Sequence, residues 1–167
     1  VNRPDLVARV FQLKLKALLA ELLQKNVLGV VVAYTWTIEF QKRGLPHARI
    51  LLVMRSDYKP RTAADVDRVV TAELPDKDDP LQKDLYDIVV TSMLHGHCGE
   101  VGKPCCNEHG VCGKGFPHDF VDATEMIPEQ YPTYRRRENG RGHMKSGVQL
   151  DNRWVVPYNP YLVSVFK

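Results

Sequence analysis

Apolar residues recur at three- and four-residue spacing through Val7, Val10, Phe11, Leu15, Leu18, Leu19 and Leu22. That is the period of a helix burying one face. Pro4 suits a first helical position and Asn26 a stop, so a helix is predicted over residues 4–25, with Lys14, Lys16, Glu21 and Lys25 largely outside its stripe. The pattern then changes. Residues 29–41 are rich in β-branched and aromatic side chains and read as a long strand; residues 42–45, with Gly44, read as a turn; residues 47–54 read as a second strand closing a hairpin. Residues 55–61 form a polar loop, residues 62–72 a short helix capped by Thr62, and residues 80–94 a further helix with Asp79 as cap and Pro80 at its first position.

After His95 the periodicity stops. Residues 96–147 hold nine of the 11 glycines and no long periodic segment. A structureless stretch of that length is improbable inside a compact domain, so something other than an apolar core must organise it. Residues 150–163 read as extended chain that packs its aromatics.

Composition narrows the class. With 44% hydrophobic and 26% charged residues in 167, one globular domain is expected and wholesale disorder is excluded. No apolar run reaches the roughly 20 residues of a membrane span. The first apolar stretch, broken by Arg9, Lys14 and Lys16, does not read as a signal peptide. The chain begins at Val1, from which a fragment or a processed chain is expected. A net charge of +3 permits a nucleic-acid partner without arguing for one.

Three groups of residues could carry chemistry. His47 stands on the second predicted strand, where residues two apart share a face; a histidine at position 49 would aim a second imidazole at one divalent metal, but that place is held by Arg49. Glu39 and Gln41 lie on the facing arm, within cross-strand reach of His47. The second group is the Cys/His segment. All four cysteines fall between Cys98 and Cys112, with His95, His97, His109 and His118 nearby. Such clustering reads as metal binding rather than a disulfide framework. The best set for a structural zinc is His95, Cys98, Cys105 and Cys112, with Cys106 an alternative to Cys105. The third group is the basic run Arg135, Arg136 and Arg137, continued by Arg141 and Lys145 among glycines, where flexible cations could track a nucleic-acid backbone.

The run Glu39-Phe40-Gln41-Lys42-Arg43-Gly44-Leu45-Pro46-His47-Ala48 resembles the Helitron helicase-like domain. So do Arg3 to Phe11, His95-Gly96-x-Cys98-Gly99, Gly113 to Pro117, Tyr134 to Arg137, and Leu150 to Asn159, in the family's order. The resemblance implies a single-strand DNA endonuclease of the HUH class, joined to a helicase domain in the full-length protein, that drives rolling-circle transposition. It implies an α+β fold, an antiparallel sheet flanked by helices (HUH/Rep-like), with two histidines and a polar residue holding Mg²⁺ or Mn²⁺ and tyrosines attacking the phosphodiester. Carried over by position, His47 matches the first motif histidine, Arg49 replaces the second, and Glu39 is the candidate third ligand. Arginine has no lone pair to offer a metal but can bind a phosphate. The family's catalytic tyrosines lie beyond the segment matching Pro157–Phe166, so no intact catalytic residue is expected here.

The expectation is therefore a single, incomplete domain over residues 1–167, comprising a nuclease-type core over 1–94, a loop-rich Cys/His zinc-binding segment over 95–118, and a basic loop and extended tail over 119–167. Single-stranded DNA is the expected partner and the nucleus the implied location. The rival expectation is a non-catalytic, zinc-stabilised DNA-binding or protein-interaction module derived from a decayed transposon.

Overall fold

The computed structural model describes residues 3–40, 44–98, 105–107 and 109–166. It is α+β, with two separate two-stranded antiparallel sheets and four α-helices among the described residues. The chain resolves into two compact units, one running to Pro60 and one from Arg61 to Val165.

In the first unit α1 spans Pro4–Leu23, with Pro4 in its first turn. It stops where Asn26 takes a positive φ of 51°, a conformation asparagine tolerates better than most residues. Strands β1 (Val31–Phe40) and β2 (Pro46–Met54) pair antiparallel, with Trp36 opposite Ile50, Thr37 opposite Arg49 and Glu39 opposite His47. Alternation puts Tyr34, Trp36, Ile50 and Leu52 on one face and Glu39, His47 and Arg49 on the other. The expected hairpin is thus present; Gln41 lies outside the described residues. The helical stripe is less buried than its pattern suggested. Leu15 and Leu22 are buried, Val7, Phe11, Leu18 and Leu19 are only half-buried, and Val10 is exposed. A 20-residue helix is about 30 Å long, and two strands about 5 Å apart cannot cover it.

In the second unit α2 (Ala63–Val69) begins at Thr62, whose side chain accepts from the Asp65 N–H while Asp65 reaches back to the Thr62 N–H. This is a reciprocal cap that satisfies two otherwise orphaned donors. Helix α3 spans Lys83–Ser92, later than expected: Asp79 accepts from the Leu81 N–H at 2.9 Å and binds the Gln82 side chain, so it caps a preceding turn instead. The core gathers Leu74, Val89, Val90, Leu94, Cys98, Cys112, Leu150, Trp154, Val155 and Tyr158. Backbone bridges Thr71–Tyr158 and Leu94–Val155 tie the C-terminal segment to the residues flanking α3. Residues 61–94 consequently fold with the segments after them.

Two expectations about the later segment need correction. Residues 143–150 form a hairpin, β3 (His143–Lys145) with β4 (Val148–Leu150). Its Ser146-Gly147 turn has φ of 52° and 79°, the mirror-image turn that matches strand twist. The tail is not extended throughout. Asp151 accepts from the Arg153 N–H to start a 3-10 turn over Asn152–Trp154. Helix α4 (Pro160–Phe166) then begins where Asn159 Oδ1 accepts from the Leu162 N–H at 2.8 Å.

Candidate metal centre and nucleic-acid interface

His95 leaves α3 with its N–H on the Trp154 carbonyl at 2.9 Å. Its ring stacks on Phe116 at 4.3 Å and lies 6.3 Å from the parallel Trp154 indole. These contacts fix the imidazole before any ligand arrives. The segment from Cys105 to Gly113 folds back on itself: Gly113 N–H donates to Cys105 O at 2.8 Å, and the Asn107 side chain accepts from the N–H groups of His109 and Val111. Those local bonds present Cys105 and Cys112 toward Cys98. The ligand atoms of His95, Cys98, Cys105 and Cys112 all lie within 4.8 Å of one another. His95 Nε2 is 3.4 Å from Cys98 Sγ and 3.5 Å from Cys112 Sγ. A tetrahedral zinc with bonds near 2.3 Å needs ligand edges of about 3.5–3.8 Å, so the cluster fits one metal ion. Cys106 stands beside it, its Sγ 3.8 Å from that of Cys105.

The four groups differ in how readily they take the metal-binding form, which is the thiolate for cysteine and the neutral ring for histidine. Burial pushes the Cys98 thiol well above its ordinary value, reinforced by the thiols of Cys112, Cys105 and Cys106. Cys105 is also raised, first by burial. Burial acts on Cys112 in the same sense, but the backbone N–H groups of Lys114 and Phe116, together with the thiols of Cys98 and Cys105, outweigh it and hold this thiol low. Lys114 N–H approaches Cys112 Sγ at 3.4 Å. Burial lowers His95, favouring the neutral imidazole that binds metals.

On the hairpin, Glu39, His47 and Arg49 share a face as expected, but they make no metal cluster among the described residues. Arg49 Nε instead pairs with Glu39 Oε1 at 3.2 Å, both side chains being largely exposed, at 77% and 52%. The carboxylate offered as a metal ligand is occupied by the very residue that replaces the second histidine. A cation there repels Mg²⁺ or Mn²⁺, and the residues present do not fit that group.

The basic run is not a set of flexible surface cations. Arg136 is buried, and its Nη1 donates to the carbonyls of Asn152 at 2.6 Å and Val155 at 2.7 Å. Burial pulls its guanidinium down to about 10. Arg137 donates from Nε and Nη2 to Glu73, and its N–H binds the same carboxylate. Arg135 pairs with Asp67 at 3.3 Å. The physical reason is local: bridges Val121–Arg136 and Glu125–Thr133 zip the loop onto itself and turn these side chains toward Glu73 and the core. Two residues that sequence reasoning missed complete the network. Glu73 is almost fully buried, and Asn152 accepts from the Leu74 N–H at 2.8 Å while donating to Arg137 O at 2.7 Å. Glu73 gives the one sequence signal, a carboxylate between Ala72 and Leu74; Asn152, between Asp151 and Arg153, gives none.

Residues 1–52 match the family model described as the Helitron helicase-like domain at N-terminus. Over that stretch, under half of the 167 residues, the chain is similar to the Helitron family. The matched Helitron segment contains α1, β1 and most of β2, including Glu39, His47 and Arg49. The Cys/His cluster and the arginine network lie after it. No curated protein matches the chain. No helix among the described residues is long and apolar enough to cross a membrane.

Proposed function

We propose that this chain is a single-strand DNA-binding domain from a Helitron-type rolling-circle transposon protein, built on an HUH/Rep-like plan and held together by one structural zinc. The observation that carries the reading is the Helitron match across the hairpin bearing His47 and Arg49. The donor set of the second unit, three thiols and one imidazole, is the soft, four-ligand set zinc prefers. His95, Cys98, Cys105 and Cys112 would hold the ion, which would cross-link a glycine-rich segment with little core of its own. Arg49 is the candidate hairpin cation for phosphate, and Arg137, exposed although paired with Glu73, is a second. Joined to a helicase domain and acting in the nucleus, such a domain would grip a strand.

Nicking is not expected of it. Arg49 stands where the resemblance requires a histidine, and the described residues of the hairpin group no set of metal ligands. A labelled single-stranded oligonucleotide incubated with the chain and Mn²⁺ should be retained in binding assays and remain uncut. A covalent 5′-phosphotyrosine adduct would overturn the non-nicking reading, and absence of oligonucleotide binding would overturn the DNA reading.

The Arg49–Glu39 ion pair favours one rival, a zinc-stabilised protein-interaction module that has left DNA behind. In that case the chain binds no oligonucleotide at low salt, while its zinc content is unchanged.

A further inference from the structure

Arg136 is only 4% exposed, yet it bonds no carboxylate among the described residues. Nη1 serves backbone carbonyls, including a longer contact of 3.5 Å to Ala72 O. Nε and Nη2 make no hydrogen bond to any described residue. A guanidinium has five N–H donors and cannot shed its charge by deprotonating at neutral pH. The unused side of the fork is not among the fully buried unpaired atoms, so it is open to solvent and to an anion.

Space for one lies beside it. Arg136 lines a cavity of about 340 Å³ together with His118, Asp119, Pro132, Tyr134 and Pro157. That is within the size range of small-ligand pockets. The walls are of two kinds. Arg136 and His118 are the nitrogen donors, and His118 is held in place by its edge against the Phe116 ring at 4.6 Å and by its N–H on Arg153 O. Tyr134 and the two prolines give flat apolar surface, and Asp119, exposed at the rim, offers an acceptor to a base amino group. The larger cavity by Asp76 lacks this character, because its Arg141 is already paired with Asp76 at 2.8 Å.

We propose that the cavity binds one nucleotide of a nucleic-acid strand, with its phosphate on Arg136 and His118 and its base against Tyr134. Arginine recognises phosphate through its planar fork, and an aromatic ring stacks a base with little regard to its identity. The inference deepens the DNA reading above and rests on it.

The test uses the full chain, with deoxycytidine 5′-monophosphate as probe and deoxycytidine and inorganic phosphate as controls. Amide chemical shifts locate the site, and a single-stranded oligonucleotide is titrated in parallel. The nucleotide should shift amides at 118–121 and 132–136 and bind at least tenfold more tightly than either control. Tyr134→Ala should weaken nucleotide and oligonucleotide binding by roughly fivefold or more, with unchanged thermal unfolding, and Tyr134→Phe should retain both. Shifts elsewhere, or inorganic phosphate binding as tightly as the nucleotide, overturn the proposal. Oligonucleotide binding untouched by Tyr134→Ala also overturns it while the DNA reading stands. Mononucleotide binding with no oligonucleotide binding at low salt removes the DNA reading and, with it, the strand-borne nucleotide proposed here.

Discussion

Arg137 and Glu73 are 64 residues apart in sequence and meet through parallel hydrogen bonds of 2.9 Å from Nε and 2.7 Å from Nη2. The Glu73 side chain is 7% exposed and that of Arg137 48%. The pair therefore joins the end of the α2 segment to the arginine loop with one partner desolvated and the other partly wet. Such a bond is costly to break from the buried side, because the remaining groups cannot recover water.

Glu73→Gln should destabilise the chain by about 2–3 kcal/mol, measured by urea unfolding at neutral pH. The effect should depend on pH with a definite sign. Burial pushes the Glu73 carboxyl up, but the Arg137 guanidinium and N–H, with the charge of Arg135, pull it below its usual range. A depressed carboxyl contributes stability above its unfolded value, near pH 4.3, and loses it as pH falls through the folded value. The difference between wild type and variant should be full at pH 7 and shrink below about pH 4. A constant difference across that range would mean that packing, not charge, is being measured.

Gly29 carries φ of 109°, and a Cβ added there would sit 2.8 Å from Tyr58 Cβ and 2.5 Å from its Cδ1. The obstacle is the root of a side chain that also stacks under the Arg55 guanidinium at 4.9 Å. Moving it means moving backbone. Gly29→Ala should cost about 1–3 kcal/mol from strain and overlap, whereas Gly44→Ala, at a positive φ but with open space around it, should cost less. Equal losses in thermal unfolding would show that Tyr58 yields freely.

Chelation should reach the core of the second unit. His95 links the metal cluster to Trp154 through its stacked ring, and Trp154 is buried. In Trp36→Phe, which leaves Trp154 as the sole tryptophan, removing the metal under reducing conditions should shift emission to the red and lower the unfolding temperature. Zinc should restore both, with one ion per chain by elemental analysis. Cys112→Ser should abolish that restoration. A protein that carries no metal in reducing buffer and unfolds identically with chelator would sink the structural-metal reading.

How far these features could be read beforehand follows their range in sequence. Thr62 and Asp65 cap α2 from three residues apart, and the β1–β2 hairpin closes locally; both were legible. His95, Cys98, Cys105 and Cys112 converge because metal-binding residue types announce themselves by identity, although nothing in the spacing separated Cys105 from Cys106. The Glu73–Arg137 pair and the Asn152 bond to Leu74 N, 78 residues away, left no pattern. Glu73 among apolar neighbours, and Asn152 between Asp151 and Arg153, do not name their partners. Arg136 shows the same limit: three adjacent arginines read as flexible cations for a nucleic-acid backbone, yet alternation along an extended segment turned the middle one inward. The tail failed differently, since Asn159-Pro160 is an ordinary helix start that was outweighed by the neighbouring aromatics.

The hairpin pair offers the sharpest test of what remains of a DNA site. Arg49 and Glu39 are both well exposed and their ion pair is single-pronged, at 3.2 Å. Pairs of this kind contribute about 0–1 kcal/mol and weaken in salt, so a DNA phosphate can compete for the guanidinium. If it does, Arg49→Ala should weaken oligonucleotide binding and lower the slope of log K against log salt by about 0.7, the loss of one single-strand phosphate contact. Glu39→Gln should act in the opposite direction: it removes the competitor and a like charge to the backbone, so binding should tighten while the slope stays or rises slightly. The two variants together separate a phosphate-binding arginine from one whose role is to hold the hairpin. If Arg49→Ala and Glu39→Gln each leave affinity and slope untouched but both lower the unfolding temperature, the pair is a strand-to-strand clasp and the hairpin face does not meet DNA.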